Sequence, residues 1–385
     1  MTATDVTLPV YLDYNATTPI APSVRAAMLP FLEEHFGNPS SNHMDGRQAA
    51  GAVERARDQI AALLNCAADE IVFTSGGSES DNWALLGRIW AAGVERPHVI
   101  TTQIEHPAVL TTCRFLECRG VDVTYLPVDG TGRVDPGSVR EALRASTVVV
   151  SIMHANNEVG TIQPVPEIAA ICRDAGIPLH TDAAQSVGKV RTDVEELSVD
   201  LLTVAGHKLY APKGIGALYI RRGTSLEPLI HGARHEAGRR AGTENVPYIV
   251  ALGAAAELAI GSLEAERVRQ SELRDRLFDL LARHADGITL NGHPTERLPN
   301  TLNIRFAGLN GNALLNVTPT VAASTGSACH AGRSEPSAVL LAMGIPAEAA
   351  IGSIRLSLGR PTTGTEIETT VTALVASARR LRRGR

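Results

Sequence analysis

The sequence predicts an α/β protein in which a mostly parallel sheet, covered by helices on both faces, is followed by a smaller α+β domain. Two observations carry this. From Glu70 to Ile220 short β-branched runs alternate with stretches whose apolar residues fall at helical spacing. Repeated β-α units of that kind build parallel sheets buried on both sides. After Thr243 the texture changes to a long helical stretch rich in Ala, Leu, Glu and Arg, then to isolated strands between helices. A chain of 385 residues has room for two or three domains, each able to bury a core.

In order along the chain, IVFT (71–74), HVITT (98–102), VDVTYL (121–126), TVVVSIM (147–153), IPLHT (177–181), VDLLTV (199–204) and GALYI (216–220) read as strands. The segments 78–92, 108–119 and 165–175 between them read as helices. The stretch 249–283 predicts one long helix weakened at Gly253 and Gly261. LPNTLNIRF (298–306), VAAS (321–324) and SIRLSL (353–358) read as strands, and a helix over 366–383 closes the chain. The pattern divides the chain into a large domain over 16–258 and a small one made from 1–15 and 259–385.

Composition narrows the functional classes. The longest apolar stretch, from Tyr248 to Leu263, is broken by Glu257 and is shorter than the roughly 20 residues a membrane span needs. The N-terminus has neither a basic region nor an apolar run, so no signal peptide is predicted and a cytoplasmic protein is expected. Five cysteines without CxxC spacing suit a reducing compartment. A net charge of −5 argues against direct nucleic-acid binding. The Arg-rich end, 379–385, reads as a helix C-terminus whose cations suit the helix dipole.

Five segments carry chemistry. Thr74 to Asn82 (TSGGSESDN) follows a strand and opens a helix, so its unpaired N–H groups and glycines suit a phosphate. A plain capped strand–helix turn accounts for the same residues. In GHKLYAPKGIG (206–216), Lys208 either projects beyond a strand into the crevice where such sheets bind ligands or is a solvated lysine in a Gly/Pro loop. Only three lysines exist, and Lys189 and Lys213 sit in similar turns without the preceding His207. HTDAAQ (180–185) places Asp182 at the same mouth, either to hold a pyridinium nitrogen or as a helix cap. His106, in IEHP, follows another strand and could stack on a flat cofactor. These four parts converge on a pyridoxal phosphate site. In the smaller domain, STGSACHAGRSEPS (324–337) surrounds Cys329 with small residues and cations that favour a thiolate. The other four cysteines lie in or near helical segments and read as buried small hydrophobes.

With YLDYNATTP, FGNPSS, TSGGSESDN, EHPAVL, SIMHANNEVG, HTDAAQSVGK, AGHKLYAPKGIGALYIRR, RRAGTENV, STGSACHAGRSEPS and SIRLSLGR in that order, the chain resembles the cysteine desulfurases of the nitrogen-fixation and iron–sulfur-cluster type, from Tyr11 to Arg360. These are pyridoxal phosphate enzymes of the class V aminotransferase family. The resemblance implies a fold type I homodimer with a seven-stranded mixed, mostly parallel sheet in the large domain. It implies that Lys208 binds the cofactor, His106 stacks on it and aids proton transfer, and Asp182 and Gln185 meet the ring nitrogen and ring oxygen. Gly77, Ser78 and His207 would hold the phosphate, with Thr243 reaching in from the partner subunit. Asn157 and Arg355 would receive the carboxylate of L-cysteine, and Cys329 would take its sulfur as a persulfide, leaving L-alanine. The sulfur would pass to an acceptor protein in iron–sulfur cluster assembly, tRNA thiolation or DNA phosphorothioation; no metal is implied. The alternative activities are selenocysteine lyase, a transaminase and a non-catalytic scaffold. Ala205 and Ala211 stand where relatives commonly carry Ser and Gly, and Asn316, Thr318 and Pro319 interrupt what is usually a helix before the cysteine loop.

Overall fold

The computed structural model describes residues 9–326 and 335–384. Its strands are β1 (Val10–Tyr11), β2 (Ile71–Thr74), β3 (His98–Thr102), β4 (Asp122–Leu126), β5 (Thr147–Ser151), β6 (Leu179–Asp182), β7 (Leu201–Ala205), β8 (Gly216–Ile220), β9 (Ile288–Asn291), β10 (Thr301–Phe306), β11 (Val321–Ala322) and β12 (Ser353–Ser357). A seven-stranded sheet has the order β2-β8-β7-β6-β5-β3-β4. Within it β8 runs antiparallel to both neighbours and the other pairs are parallel, so the sheet is mixed and mostly parallel as expected.

That topology sends the carboxyl ends of β2, β3, β5, β6 and β7 to one edge. The antiparallel β8 begins at that same edge, where Gly216 pairs with Thr74 and Ala205. A Cβ on Gly216 would stand 2.5 Å from the Val204 carbonyl oxygen and 2.8 Å from Gly76 Cα, so only glycine lets the two loops close on each other there.

The smaller sheet, β12-β10-β9, is antiparallel, and β1 pairs in parallel with β11. Leu277, Leu281, Ile304, Phe306, Ile354, Leu356, Ile367 and Leu374 form its core, which also takes in Leu12 near the start of the chain. β9 lies outside the elements read from the sequence; only the last of its four residues is buried, so it lacks a continuous apolar run. The stretch expected as one helix over 249–283 is two, Val246–Ile260 and Leu263–His284, bent by 73°. The break falls at Gly261 and Ser262, where the backbone leaves helical geometry at Ser262 (φ −140°, ψ 2°). Gly253 does not break its helix. It lies against Ala56, whose Cα would be 2.6 Å from an added Cβ, and so permits a close crossing with the helix Met44–Leu64.

No single helix among the described residues is long and apolar enough to cross a membrane. The basic end of the last helix, Gly364–Arg383, is engaged as a helix terminus. Arg379, Arg380 and Arg382 donate to the carbonyls of His284, Val317 and Asp286 at 3.1, 2.9 and 2.7 Å. The helix Gly311–Asn316 forms despite Asn316, Thr318 and Pro319, and Thr318 Oγ1 donates to the Leu314 carbonyl at 2.7 Å beyond its end.

A buried ion pair ties the 236–245 segment to the sheet. Arg57 donates through both terminal nitrogens to Glu236, at 2.8 and 3.0 Å, and the Phe73 N–H donates to the same carboxylate at 3.1 Å. The side chains are 10% and 2% exposed, so removing one partner strands a charge away from water. Glu236→Ala is expected to cost about 3–5 kcal/mol in denaturant unfolding. Combining it with Arg57→Met should recover most of that loss.

Candidate active site

Where the carboxyl ends of the strands meet, a cleft of about 740 Å³ opens. Gly77, Ser78, His106, Asn157, Asp182, Gln185, His207, Lys208 and Arg355 all line it. Residues up to 278 positions apart in sequence thus share one cleft, Arg355 coming from β12 of the smaller sheet.

The loop after β2 is built to receive an anion. Gly76 caps the helix Gly77–Ala92 with φ +148°, a geometry open to glycine, and a Cβ there would meet nothing within 4 Å, so its face toward the cleft is clear. A Cβ on Gly77 would lie 3.3 Å from the Ala205 side chain. The first-turn N–H groups have no acceptor within the helix. Glu79 is turned away to Arg240, at 2.9 and 3.2 Å, and accepts the Ser75 N–H at 2.8 Å, so its charge is neutralised beside the cradle.

At the end of β6 the Asp182 carboxylate is buried and accepts from the Ala184 N–H at 2.9 Å. Burial raises its pKa above the ordinary carboxylate range. Asp81, one helical turn into Gly77–Ala92, is buried too, and its Oδ1 has no hydrogen-bond partner among the described residues although His180 Nε2 is 3.6 Å away. Polar atoms of Asp81, His106 and Asp182 all lie within 4.8 Å of one another. Burial, with Asp182 adding repulsion, holds the Asp81 carboxyl well above its usual range. The sequence reading missed Asp81, because a carboxylate in the first turns of a helix ordinarily serves the helix dipole.

His106 caps the helix Pro107–Glu117, its Nδ1 accepting from the Ala108 N–H at 3.1 Å. That bond places the proton of the neutral ring on Nε2. Partial desolvation pushes the imidazole below its ordinary range, against the pull of Asp182. His207 meets Thr17 Oγ1 through Nδ1 at 3.2 Å, and burial lowers it to about 4, so it stands neutral.

Lys208 donates to the carbonyls of Asn15 and Ala16, the latter at 2.7 Å. Burial first, then the Arg355 charge, lowers its pKa to about 8. Asn15, also absent from the expected site, ties the cleft together. Its carbonyl accepts from Lys208 and from Gln185 Nε2 at 3.0 Å, and its amide donates to the Asn157 carbonyl at 3.2 Å and Thr301 Oγ1 at 2.8 Å. Across the cleft Arg355 donates to the Asn157 carbonyl at 2.8 Å and pairs with Asp13 at 2.7 Å. Its buried Nε has no partner among the described residues.

One expected site residue, Thr243, is not in the cleft of this single chain. Thr243 lines a separate cavity of about 140 Å³ that shares Ser75, Gly214 and Ile215 with the cleft wall. Cys329 lies outside the described residues. Of the cysteines expected to be buried, Cys113 and Cys172 are, Cys66 is partly so, and burial raises all three thiols to about 12. Cys118 is instead exposed, because it caps the solvent end of its helix.

The donor set fits pyridoxal phosphate: an anion cradle, a depressed-pKa amine and a buried carboxylate face one volume. The aminotransferase class-V family model matches residues 10–369. A cysteine desulfurase IscS of Dictyoglomus turgidum is 48% identical over 375 residues, which cover 97% of this chain and 95% of that protein. A solved NifS-like protein is 36% identical with a TM-score of 0.90, over 96% of this chain and 99% of that one. A structure of SspA in complex with cysteine is 40% identical with a TM-score of 0.81, over 90% and 98% of the two chains. The chain belongs to the class-V aminotransferases and, within them, to the pyridoxal phosphate-dependent cysteine desulfurases.

Proposed function

We propose that this protein converts L-cysteine to L-alanine and carries the sulfur away as a persulfide on Cys329. The observation that carries the reading is the convergence of Lys208, Asp182 and the 75–79 cradle on a cleft whose far wall presents Arg355 and Asn157. Bound pyridoxal phosphate supplies an electron-withdrawing ring that makes the substrate Cα acidic. The protein's residues do the rest. Gly77, Ser78 and His207 hold the phosphate, His106 covers the ring, Gln185 meets the ring oxygen and Asp182 the ring nitrogen. Arg355 and Asn157 orient the substrate carboxylate, and the Lys208 amine takes the Cα proton. Cys329 attacks the substrate sulfur, and L-cysteine plus the thiol gives L-alanine plus the persulfide, with no external oxidant.

In this reading the enzyme is a cytoplasmic homodimer in which Thr243 of each copy completes the other's phosphate site. The domain over 16–258 holds the cofactor, and the one made from 1–15 and 259–385 brings Cys329 to it. The sulfur goes to an acceptor protein serving iron–sulfur clusters, tRNA thiolation or DNA phosphorothioation. The test is to expose the cofactor-loaded protein briefly to L-cysteine without reductant and to measure alanine and intact mass together. One alanine and one protein-borne sulfur per active site is the expected result. Alanine without sulfur on the protein would replace this reading with that of a lyase, and no alanine would remove the desulfurase activity.

A further inference from the structure

Lys189 has no task in the chemistry above, yet its amine ends inside the wall of the cleft. It sits on the tight turn after β6, where its N–H donates to the Ser186 carbonyl at 2.9 Å. Gly188 before it has φ +74°, and a Cβ there would be 2.1 Å from Leu209 Cδ1, so this turn is seated directly on the residue that follows Lys208. From there Lys189 Nζ donates to Gln185 Oε1 at 3.1 Å and to Asn15 Oδ1 at 3.3 Å. Among the described residues it forms no ion pair with a carboxylate.

We infer that Lys189 is a positioning residue that fixes which end of the Gln185 amide faces the cofactor. An amide fits its slot in two orientations, and the surroundings choose one. With Oε1 occupied by Lys189, Gln185 Nε2 faces the Asn15 carbonyl at 3.0 Å, and its second N–H is left for the cleft. Gln185 therefore presents a donor, not an acceptor, to the ring oxygen. Asn15 is held in turn by Asn300, whose amide donates to Asn15 Oδ1 at 3.0 Å. The Asn15 carbonyl that receives Gln185 also receives Lys208. Lys189 thus stabilises an orientation shared by the ring-oxygen donor and the cofactor-binding amine.

The electrostatics support this. Burial pushes the Lys189 amine well below the ordinary lysine range, and the charges of Lys208 and Arg355 push it further. Two of its N–H groups are taken up by the oxygens of Gln185 and Asn15. The other ionisable groups around its small cavity are Tyr14, Tyr210, Glu266 and Arg360.

The inference rests on the functional reading above, and its test separates the two. In the cofactor-loaded protein, the pH midpoint of the yellow absorption band reports the field at the ring oxygen and at Lys208. Lys189→Met is expected to shift that midpoint by about half a pH unit or more. It should also weaken retention of pyridoxal phosphate about tenfold, at nearly unchanged melting temperature. Lys189→Gln, which keeps an N–H donor at shorter reach, should recover part of the shift. In a Gln185→Ala background, Lys189→Met should shift the midpoint much less, since only its contact with Asn15 remains. Equal shifts in both backgrounds, or none with Lys189→Met, would overturn the role assigned to Lys189. A wild-type protein that stays colourless with pyridoxal phosphate would instead overturn the functional reading itself.

Discussion

Lys208→Ala is expected to lower alanine formation from L-cysteine by about 10³–10⁴-fold, on the scale set by losing a positioned proton-transfer group that also anchors the reactant. Neither remaining lysine can substitute. Lys189 is committed to Gln185 and Asn15, and Lys213 lines the cleft from an exposed loop. Lys208 alone is aimed through β7 at the centre of the site, with its amine lowered to about 8. The lowering decides the rate near neutrality. At pH 7 about one tenth of such amines are unprotonated, roughly two hundred times the fraction of an ordinary lysine. The neutral form is the base, so in the wild type the step that uses this amine should speed up as pH rises from about 7 to about 9, then level off. Borohydride reduction followed by peptide mapping should place the cofactor on Lys208 in the wild type and on no residue in the variant. Retention of more than about one hundredth of wild-type turnover would move the proton-transfer role elsewhere.

The parts of this site legible in the sequence share one property: each directly follows a β-branched run. The cradle follows β2, His106 follows β3, Asp182 ends β6 and Lys208 follows β7. In a parallel sheet those positions share an edge whatever the strand order, so their meeting does not require knowing the topology. The partners that hold them do. Asn15 reaches Lys208 from 193 residues away and Gln185 from 170, Asp13 pairs with Arg355 from 342 residues away, and Arg57 meets Glu236 from 179 away. No local pattern marks such pairs. Lys189 has no neighbouring histidine to mark it, and one of its two acceptors, Asn15, lies 174 residues away in sequence. The reversed direction of β8 was legible in principle. Between Ala205 and Gly216 the chain is too short for a crossover of a dozen or more residues, which a parallel neighbour of β7 would need.

Cys329→Ala is expected to leave the yellow cofactor in place while abolishing the sulfur that the wild-type protein gains from L-cysteine. On one side of Cys329, Ser324 pairs with Arg355 through two backbone hydrogen bonds, so the chain departs from beside the guanidinium assigned to the substrate carboxylate. On the other side, Ser337 Oγ donates to Glu158 at 2.5 Å, and Glu158 adjoins Asn157 of the cleft wall. Gly326, with φ +74°, lies so close to the same carboxylate that a Cβ would be 2.6 Å from Glu158 Oε2. Both described flanks are therefore tethered beside Asn157 and Arg355 of the cleft wall. The remaining cysteines offer no substitute, since burial keeps Cys66, Cys113 and Cys172 in the thiol form, with pKa values of about 12. Cys118 is exposed but does not line the cleft, so Cys118→Ala is the control that should still gain one sulfur atom. If the mass gain survives in Cys329→Ala and disappears in Cys118→Ala, sulfur leaves the cleft by a route that does not use the 324–337 segment.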